Sequence, residues 1–172
     1  MPTRLDKAFY ARPAAELAPL LLDKLLCRRI ESGVIRRRIT ETECYSGEED
    51  TACHARRGKT NRTSVMYAAG GVAYVYLCYG IHYLLNVVTG QEGHPEAVLI
   101  RGVEGAAGPG LVTKALLIDK SLNGEDLCAS DKLWLEDDGR KTAYQAFKRV
   151  GIGYASEEDQ NRLWRYTVNN IE

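Results

Sequence analysis

Short apolar runs broken by turn residues fill most of this chain, and helical spacing is confined to two stretches. The first, Pro13 to Leu22, sets Leu17, Leu20 and Leu21 on one stripe. Pro13 stands near its first turn, where a missing N–H is harmless, and Pro19 kinks the helix or moves its start. Leu111 to Asp119 reads as a second, shorter helix. Leu25 to Ile30 and Val34 to Thr42 read as strands joined through Glu31-Ser32-Gly33, a hairpin signal. Val72 to Tyr79, Ile81 to Thr89 and Ala97 to Arg101 read as three more strands, punctuated by Gly80 and the turn at 90–95, and fit a meander. Lys132 to Glu136 reads as an edge strand. Lys148 to Tyr154 and Leu163 to Val168 read as two closing strands around a polar stretch at 156–161. Together these elements predict an antiparallel α+β fold.

Period-two alternation from Val34 onward puts Ile35, Arg37, Ile39, Glu41 and Glu43 on one side of a strand. Two acids then follow two isoleucines onto the face that is expected to be buried, while Arg36 and Arg38 point the other way. A buried carboxylate is usually paired with a cation. On a largely apolar face with one open side, it also suits a general base. Parity does not separate Glu41 from Glu43.

Composition changes this picture little. A chain of 172 residues with 45% apolar side chains suits a single domain with a sizeable core. The N-terminal MPTRLDKAFY does not read as a signal peptide, and no long apolar run reads as a membrane span. The expectation is a soluble intracellular protein. Five cysteines, at 27, 44, 53, 78 and 128, read as reduced thiols; their spacing with His54 and His82 does not match a structural zinc site. The formal net charge is zero but uneven: residues 1–62 hold 13 Lys and Arg against 9 Asp and Glu. A local basic face is enough for a modest phosphate footprint. The turn-rich excursion 46–64 concentrates it in Arg56, Arg57, Lys59 and Arg62, beside Gly58 and Thr60, a composition able to track a nucleic-acid backbone. Tyr74, Tyr76 and Tyr79 lie in one strand and offer packing surfaces or stacking platforms for flat bases. Tyr79 precedes Gly80 at a strand end, where a ring can wedge into a duplex. No Walker motif, dinucleotide glycine fingerprint, HExxH or GxSxG is present.

Several of these segments carry a resemblance in order along the chain. Glu41-Thr42-Glu43-Cys44-Tyr45, His54, the pair Tyr74 to Tyr79 and Gly80 to Val88, and Val98-Leu99-Ile100-Arg101 closely resemble the alkyladenine (3-methyladenine) DNA glycosylase family. Phe9 to Pro13, Gly108-Pro109-Gly110, Arg149 to Gly153 and Trp164-Arg165-Tyr166 fit it too. The resemblance implies one mixed α/β domain, residues 1–172, around a curved antiparallel sheet, unlike the helix-hairpin-helix glycosylases. It implies Glu43 as the general base that activates water and Arg101 as its partner in holding that water. Tyr45 and Tyr76 become the rings that sandwich a flipped base, His54 a hydrogen-bonding neighbour, and Asn86 the discriminating residue of the pocket floor. Tyr79 becomes the intercalating residue. The implied partner is double-stranded DNA containing damaged purines, bound by a monomer, with no metal or other cofactor and no lysine Schiff base. A cation beside Glu43 is expected to lower its pKa and leave a weak base, adequate for an alkylated base that leaves readily.

Two features depart from the family pattern. Leu111 stands where a lysine usually follows Gly-Pro-Gly, and the segment 102–108 is shorter than usual. Three other readings compete: a non-catalytic module for damaged nucleotides, a metabolic enzyme acting on free nucleosides or an acidic small molecule, and a structural domain. The module has no need of Glu43, the metabolic enzyme has no need of a wedge or a cationic loop, and the structural domain leaves the ordered motifs unexplained.

Overall fold

The computed structural model describes residues 1–169. Its strands, in chain order, are β1 (Thr3–Arg4), β2 (Leu25–Ile30), β3 (Gly33–Ser46), β4 (Ala73–Cys78), β5 (His82–Thr89), β6 (Glu96–Val103), β7 (Ala106–Ala107), β8 (Leu133–Asp137), β9 (Tyr144–Phe147) and β10 (Arg165–Val168). The helices are short: α1 (Lys7–Tyr10), α2 (Ala14–Leu20), α3 (Pro109–Ala115) and α4 (Glu157–Asn161). All strand pairings are antiparallel, in the order β1-β8-β2-β3-β6-β5-β4, with β10 joining β3 to β9 and β7 on β6. This is the α+β class that the sequence predicts, and β4, β5 and β6 form the meander.

β3 organises the sheet. Its first half pairs with β2, and from Ile39 onward it pairs with β6, while β10 takes the edge that β2 leaves free. Residues Glu41 to Glu43 are therefore hydrogen-bonded on both sides. The strand is longer than the predicted Val34 to Thr42, because β6, which pairs with it as far as Ser46, rather than local propensity, carries it on.

The alternation read from sequence does not survive along β3. Pairing runs Ile39 with Val103, Glu41 with Gly102 and Thr42 with Ile100, so Thr40 and Arg101 are skipped and both strands bulge at the same level. Ile39 packs in the main core, but beyond the bulge Cys44 and Thr42 take that side, with Thr42 Oγ1 donating to the Ala18 carbonyl of α2 at 2.8 Å. Glu43 and Tyr45 are turned to the opposite face. On β6, Val98, Ile100 and Val103 face the core while Leu99 and Arg101 face the other way, the same reset. Glu43 does not follow the isoleucines. It is buried on the other side of the sheet.

One face of the sheet thus carries the main core, with Leu17, Leu21, Val87, Ile100, Val112 and Leu116 fully buried. The other face carries a second cluster, Cys53, Ala55, Met66, Tyr74, Val88 and Ala97, contributed by the excursion and the sheet. The excursion is ordered by two 3₁₀ turns, His54–Arg57 and Ser64–Tyr67, which press apolar residues onto that face.

Four predicted elements differ in placement. Residues 148–154 are not a strand: Gly151 sits at φ 73° and Arg149 is drawn inside, so the chain is irregular there, and β9 precedes it. β8 is not an edge strand, because β1 covers its outer side. The helix expected at 111–119 begins earlier, at Pro109, and ends at Ala115, before Leu117 turns into the left-handed region at φ 52°. The helix expected at 13–22 spans Ala14–Leu20 and tolerates Pro19 inside it. The short 102–108 segment closes as a tight hairpin, with Val103 opposite Ala106 and Gly105 at φ 81°.

Among the described residues, no helix is long and apolar enough to cross a membrane, and no three His, Cys, Asp or Glu side chains come together as a metal site. The five cysteines are free thiols.

Candidate active site

The second face of the sheet opens into a cleft of about 750 Å³. Glu43, Tyr45, His54, Tyr76, Asn86 and Arg101 all line it, with Tyr79 at the lip. Six residues spread over nearly 60 positions of sequence converge there, because β3, β4, β5 and β6 are neighbours and the bulges turn Glu43 and Arg101 to the same side.

Glu43 has no exposed surface, yet its carboxylate forms part of the cleft wall. Oε1 accepts from the Tyr45 hydroxyl at 3.0 Å, and Oε2 accepts from the Val150 N–H at 2.7 Å. Arg101 Nη1 lies 3.6 Å from Oε1 and its Nε donates to Glu41 Oε1 at 3.2 Å. Glu41 also accepts from Arg165 Nη1 at 3.2 Å. The two acids are therefore unequal: Glu41 is held by two arginines, and Glu43 meets only the edge of one.

The expected depression of the Glu43 pKa is corrected by this geometry. Burial of the carboxylate outweighs Arg101, the Val150 N–H, the Tyr45 hydroxyl and Arg149, and the pKa is raised above the usual glutamate range. Tyr45 is pushed well above the ordinary phenol range by burial and by Glu43, so it stays a donor. His54 is pushed down to about 4 by burial and by Arg62 and Arg56. It is neutral at neutral pH, with Nδ1 3.2 Å from the Tyr74 hydroxyl and its ring edge-on to Tyr76 at 4.5 Å. Asn86 is buried and lines the cleft, where Nδ2 donates to the Tyr74 carbonyl at 3.3 Å.

Tyr79 is 94% exposed. It occupies the β4–β5 turn, closed by the Ile81 N–H on the Cys78 carbonyl at 3.1 Å, with Tyr79 at φ 51° and Gly80 at φ 66°. Two positive φ values in a hairpin turn favour Asn-Gly, so a tyrosine at the first position is locally unfavourable. The four cations of the excursion divide. Arg62 enters the cleft, 5.3 Å from the centre of the Tyr76 ring. Arg56 rests on Tyr154 at 5.0 Å and donates to the Cys53 carbonyl, and Lys59 rests on Tyr67 at 5.6 Å. Arg57 projects outward. Leu111, 52% exposed, stands at the lip.

Sequence reasoning gave no role to Val150 or Tyr154, which also line the cleft. The Val150 contribution is a backbone N–H, which no side-chain pattern announces; the Arg149 to Gly153 motif was its only signal.

The cleft is thus aromatic-walled, with a buried carboxylate beside an arginine and an exposed ring at its lip. The sequence profile of the methylpurine-DNA glycosylase family matches residues 8–107 and 104–172, two stretches that meet in the shortened segment. Relatives extend over nearly the whole chain. Proteins of Borrelia garinii and Desulfitobacterium hafniense are 42% and 41% identical, with 96% of this chain and 96% of the relative covered in the first, 98% and 97% in the second. One from Methanocella arvoryzae is 42% identical over 96% of this chain and 92% of its own. All three are named, provisionally, as 3-methyladenine DNA glycosylases. The chain belongs to the methylpurine-DNA glycosylase family. It is a DNA-binding hydrolase of base-excision repair.

Proposed function

We propose that residues 1–172 act as one monomeric glycosylase domain that takes an alkylated purine out of double-stranded DNA and cleaves its N-glycosidic bond with water activated by Glu43. The observation that carries this is the state of Glu43: fully buried, open only to the cleft, and 3.6 Å from an arginine that is already engaged by another acid.

A sugar C1′ inside a stacked duplex is out of reach, so the nucleotide must leave the stack. Tyr45 and Tyr76 supply aromatic faces for the flipped base, and a purine made cationic by alkylation gains from their ring quadrupoles. A neutral His54 adds no repulsion to that cation. Asn86 presents its amide at the floor and selects against bases that do not fit it. Cleavage builds positive charge on the sugar, which the Glu43 carboxylate stabilises. The water oxygen bonds to C1′, its proton passes to Glu43, and the C1′–N bond electrons leave with the base, which departs neutral. The products are free base and an abasic site, with no metal or lysine adduct needed. Arg56, Arg57 and Lys59 serve the phosphate backbone, while Arg62, expected to join them, enters the cleft beside Tyr76. Leu111 brings an apolar contact where a lysine would bring charge, so phosphate affinity rests more heavily on the excursion.

The test is incubation with methylated duplex DNA, followed by detection of released base and alkali-labile sites, alongside duplexes carrying hypoxanthine or ethenoadenine. Binding of every duplex without release from any of them would leave only the non-catalytic module.

Tyr79 gives a second expected result. Tyr79→Asn relieves the positive-φ strain and raises stability by about 1 kcal/mol. It also removes the ring that fills the gap left by the flipped nucleotide, and excision from duplex DNA falls about tenfold. Thermal melting and single-turnover excision on one preparation check both signs. A stabilised variant with undiminished excision would remove Tyr79 from the mechanism.

A further inference from the structure

Arg149 lies just behind the cleft and makes the densest set of polar contacts around it. Nη1 donates to Asp50 Oδ2 at 2.6 Å and to the Cys44 carbonyl at 2.9 Å. Nη2 donates to Asp50 Oδ1 at 3.0 Å and to the Asp159 carbonyl at 3.2 Å. Asp50 in turn accepts from the backbone N–H groups of Ser46 and Ala52, and both partners of the pair are buried. The guanidinium also stacks between Tyr45, at 5.1 Å, and Trp164, at 5.0 Å.

A buried ion pair of this kind is weak evidence of stabilisation, since an apolar replacement often serves as well. Its position is more informative. Arg149 precedes Val150, whose N–H reaches Glu43 Oε2, and it grips the carbonyl of Cys44, the residue after Glu43. One side chain thus ties together the backbone that bears the carboxylate and the backbone that donates to it. Gly151, at φ 73°, lets the chain turn immediately after the donated N–H.

We propose that Arg149 and Asp50 are positioning residues that hold the Val150 N–H on Glu43, and so fix the orientation of the carboxylate and favour its ionised form. This rests on the reading of Glu43 as the general base. The other groups acting on Glu43 are Tyr45 from β3, Arg101 from β6 and the charge of Arg149 itself, which Arg149→Lys retains, with Glu41 of β3 and Arg165 of β10 one contact further out through Arg101 and Tyr76 of β4 across from Tyr45. None of them contacts Oε2 in place of Val150. Loosening the N–H removes a donor that serves only the charged form, so the carboxylate takes up its proton at higher pH.

The experiment uses Arg149→Lys, Asp50→Asn and Val150→Pro in the full chain. Each is assayed by single-turnover release of base from a duplex carrying one 7-methylguanine, as a function of pH, with affinity measured on a duplex containing a stable abasic-site analogue. Val150→Pro deletes the N–H at an exposed side chain while keeping both side chains of the ion pair, and the melting temperature of each variant reports whether the backbone at Arg149, which a following proline restricts, has been disturbed. The expected result is an acid limb displaced upward by about one pH unit in all three, with affinity unchanged. Displacement in all three supports the role. A limb that stays in place in Val150→Pro, or in both Arg149→Lys and Asp50→Asn while their melting temperatures fall, overturns it and leaves the pair purely structural. Glu43→Gln separates the two layers. If it excises at the wild-type rate, the base assignment itself is wrong. If it is inactive while the limbs of the other variants do not move, only the positioning role fails.

Discussion

Glu43→Gln lowers base excision by about a thousandfold and leaves DNA binding intact. Loss of a positioned general base is worth roughly 10²–10⁴ in rate, and Glu43 also faces the developing charge on the sugar, which puts the expectation mid-range. Gln matches the carboxylate in shape. Its oxygen can accept from the Val150 N–H, and the Tyr45 hydroxyl can rotate to accept from its amide, so the cleft keeps its form. The pH dependence follows from burial. The ionised form is the active one and its pKa is raised, so wild-type excision falls on acidification at a pH above the usual glutamate range. The same shift acts on stability. A carboxyl whose folded pKa exceeds its unfolded value favours the fold below the unfolded pKa and loses that contribution as pH rises through the folded pKa. Wild type is therefore penalised at neutral pH, and Gln removes the penalty. Melting curves of the two proteins should show Glu43→Gln equal to or above wild type at pH 7, with the two converging in acid. Excision by Glu43→Gln at the wild-type rate would make Glu41 the first alternative, despite its two arginine partners.

Gly70→Ala destabilises the fold by about 3 kcal/mol or more. A Cβ at this position would lie 2.1 Å from the Tyr10 carbonyl oxygen, 2.8 Å from its carbon and 3.2 Å from the Gly90 nitrogen. All three are backbone atoms, so no rotamer change relieves the overlap. They are also tied to one another: Gly70 N–H donates to the Gly90 carbonyl at 3.0 Å, and Gly90 N–H donates to the Tyr10 carbonyl at 2.9 Å. Tyr10 is fully buried, and its ring packs over Gly71. The methyl group therefore separates α1 from the turns that open β4 and close β5. Gly139 is the control. It sits at φ 84° with open space around it, so Gly139→Ala carries only the backbone penalty of about 1 kcal/mol. Chemical denaturation of the two variants compares a steric cost with a conformational one. Equal midpoints would show that the Tyr10 and Gly90 segments part easily. Excision per folded molecule should be unchanged in both, since neither glycine lines the cleft.

The site was partly legible. The ordered motifs pointed to seven side chains that line the cleft, and the cationic excursion to an eighth, Arg62, whose place in the cleft beside Tyr76 it did not announce. Residue pattern alone stopped short of a choice between Glu41 and Glu43. What separates them is the company each keeps: two arginines on Glu41, a backbone N–H and a phenol on Glu43. The direction of the Glu43 pKa was misjudged for a related reason. A neighbouring arginine is visible in a motif, but the depth of burial that outweighs it is not.

The chain by itself determined the antiparallel strands, the meander that carries Tyr76 and Asn86, the helix that contains Pro19 and the family. Each is written in local apolar spacing, turn residues or ordered motifs. Only the tertiary structure decided which way Glu43 faces. Period two holds along a strand until a residue is skipped, and Thr40 and Arg101 are skipped together because two strands meet out of step at one level. Only the tertiary structure, too, replaced the expected strand at 148–154 with an irregular segment. There a buried arginine and a backbone N–H, brought from more than 100 residues away, complete the surroundings of one carboxylate.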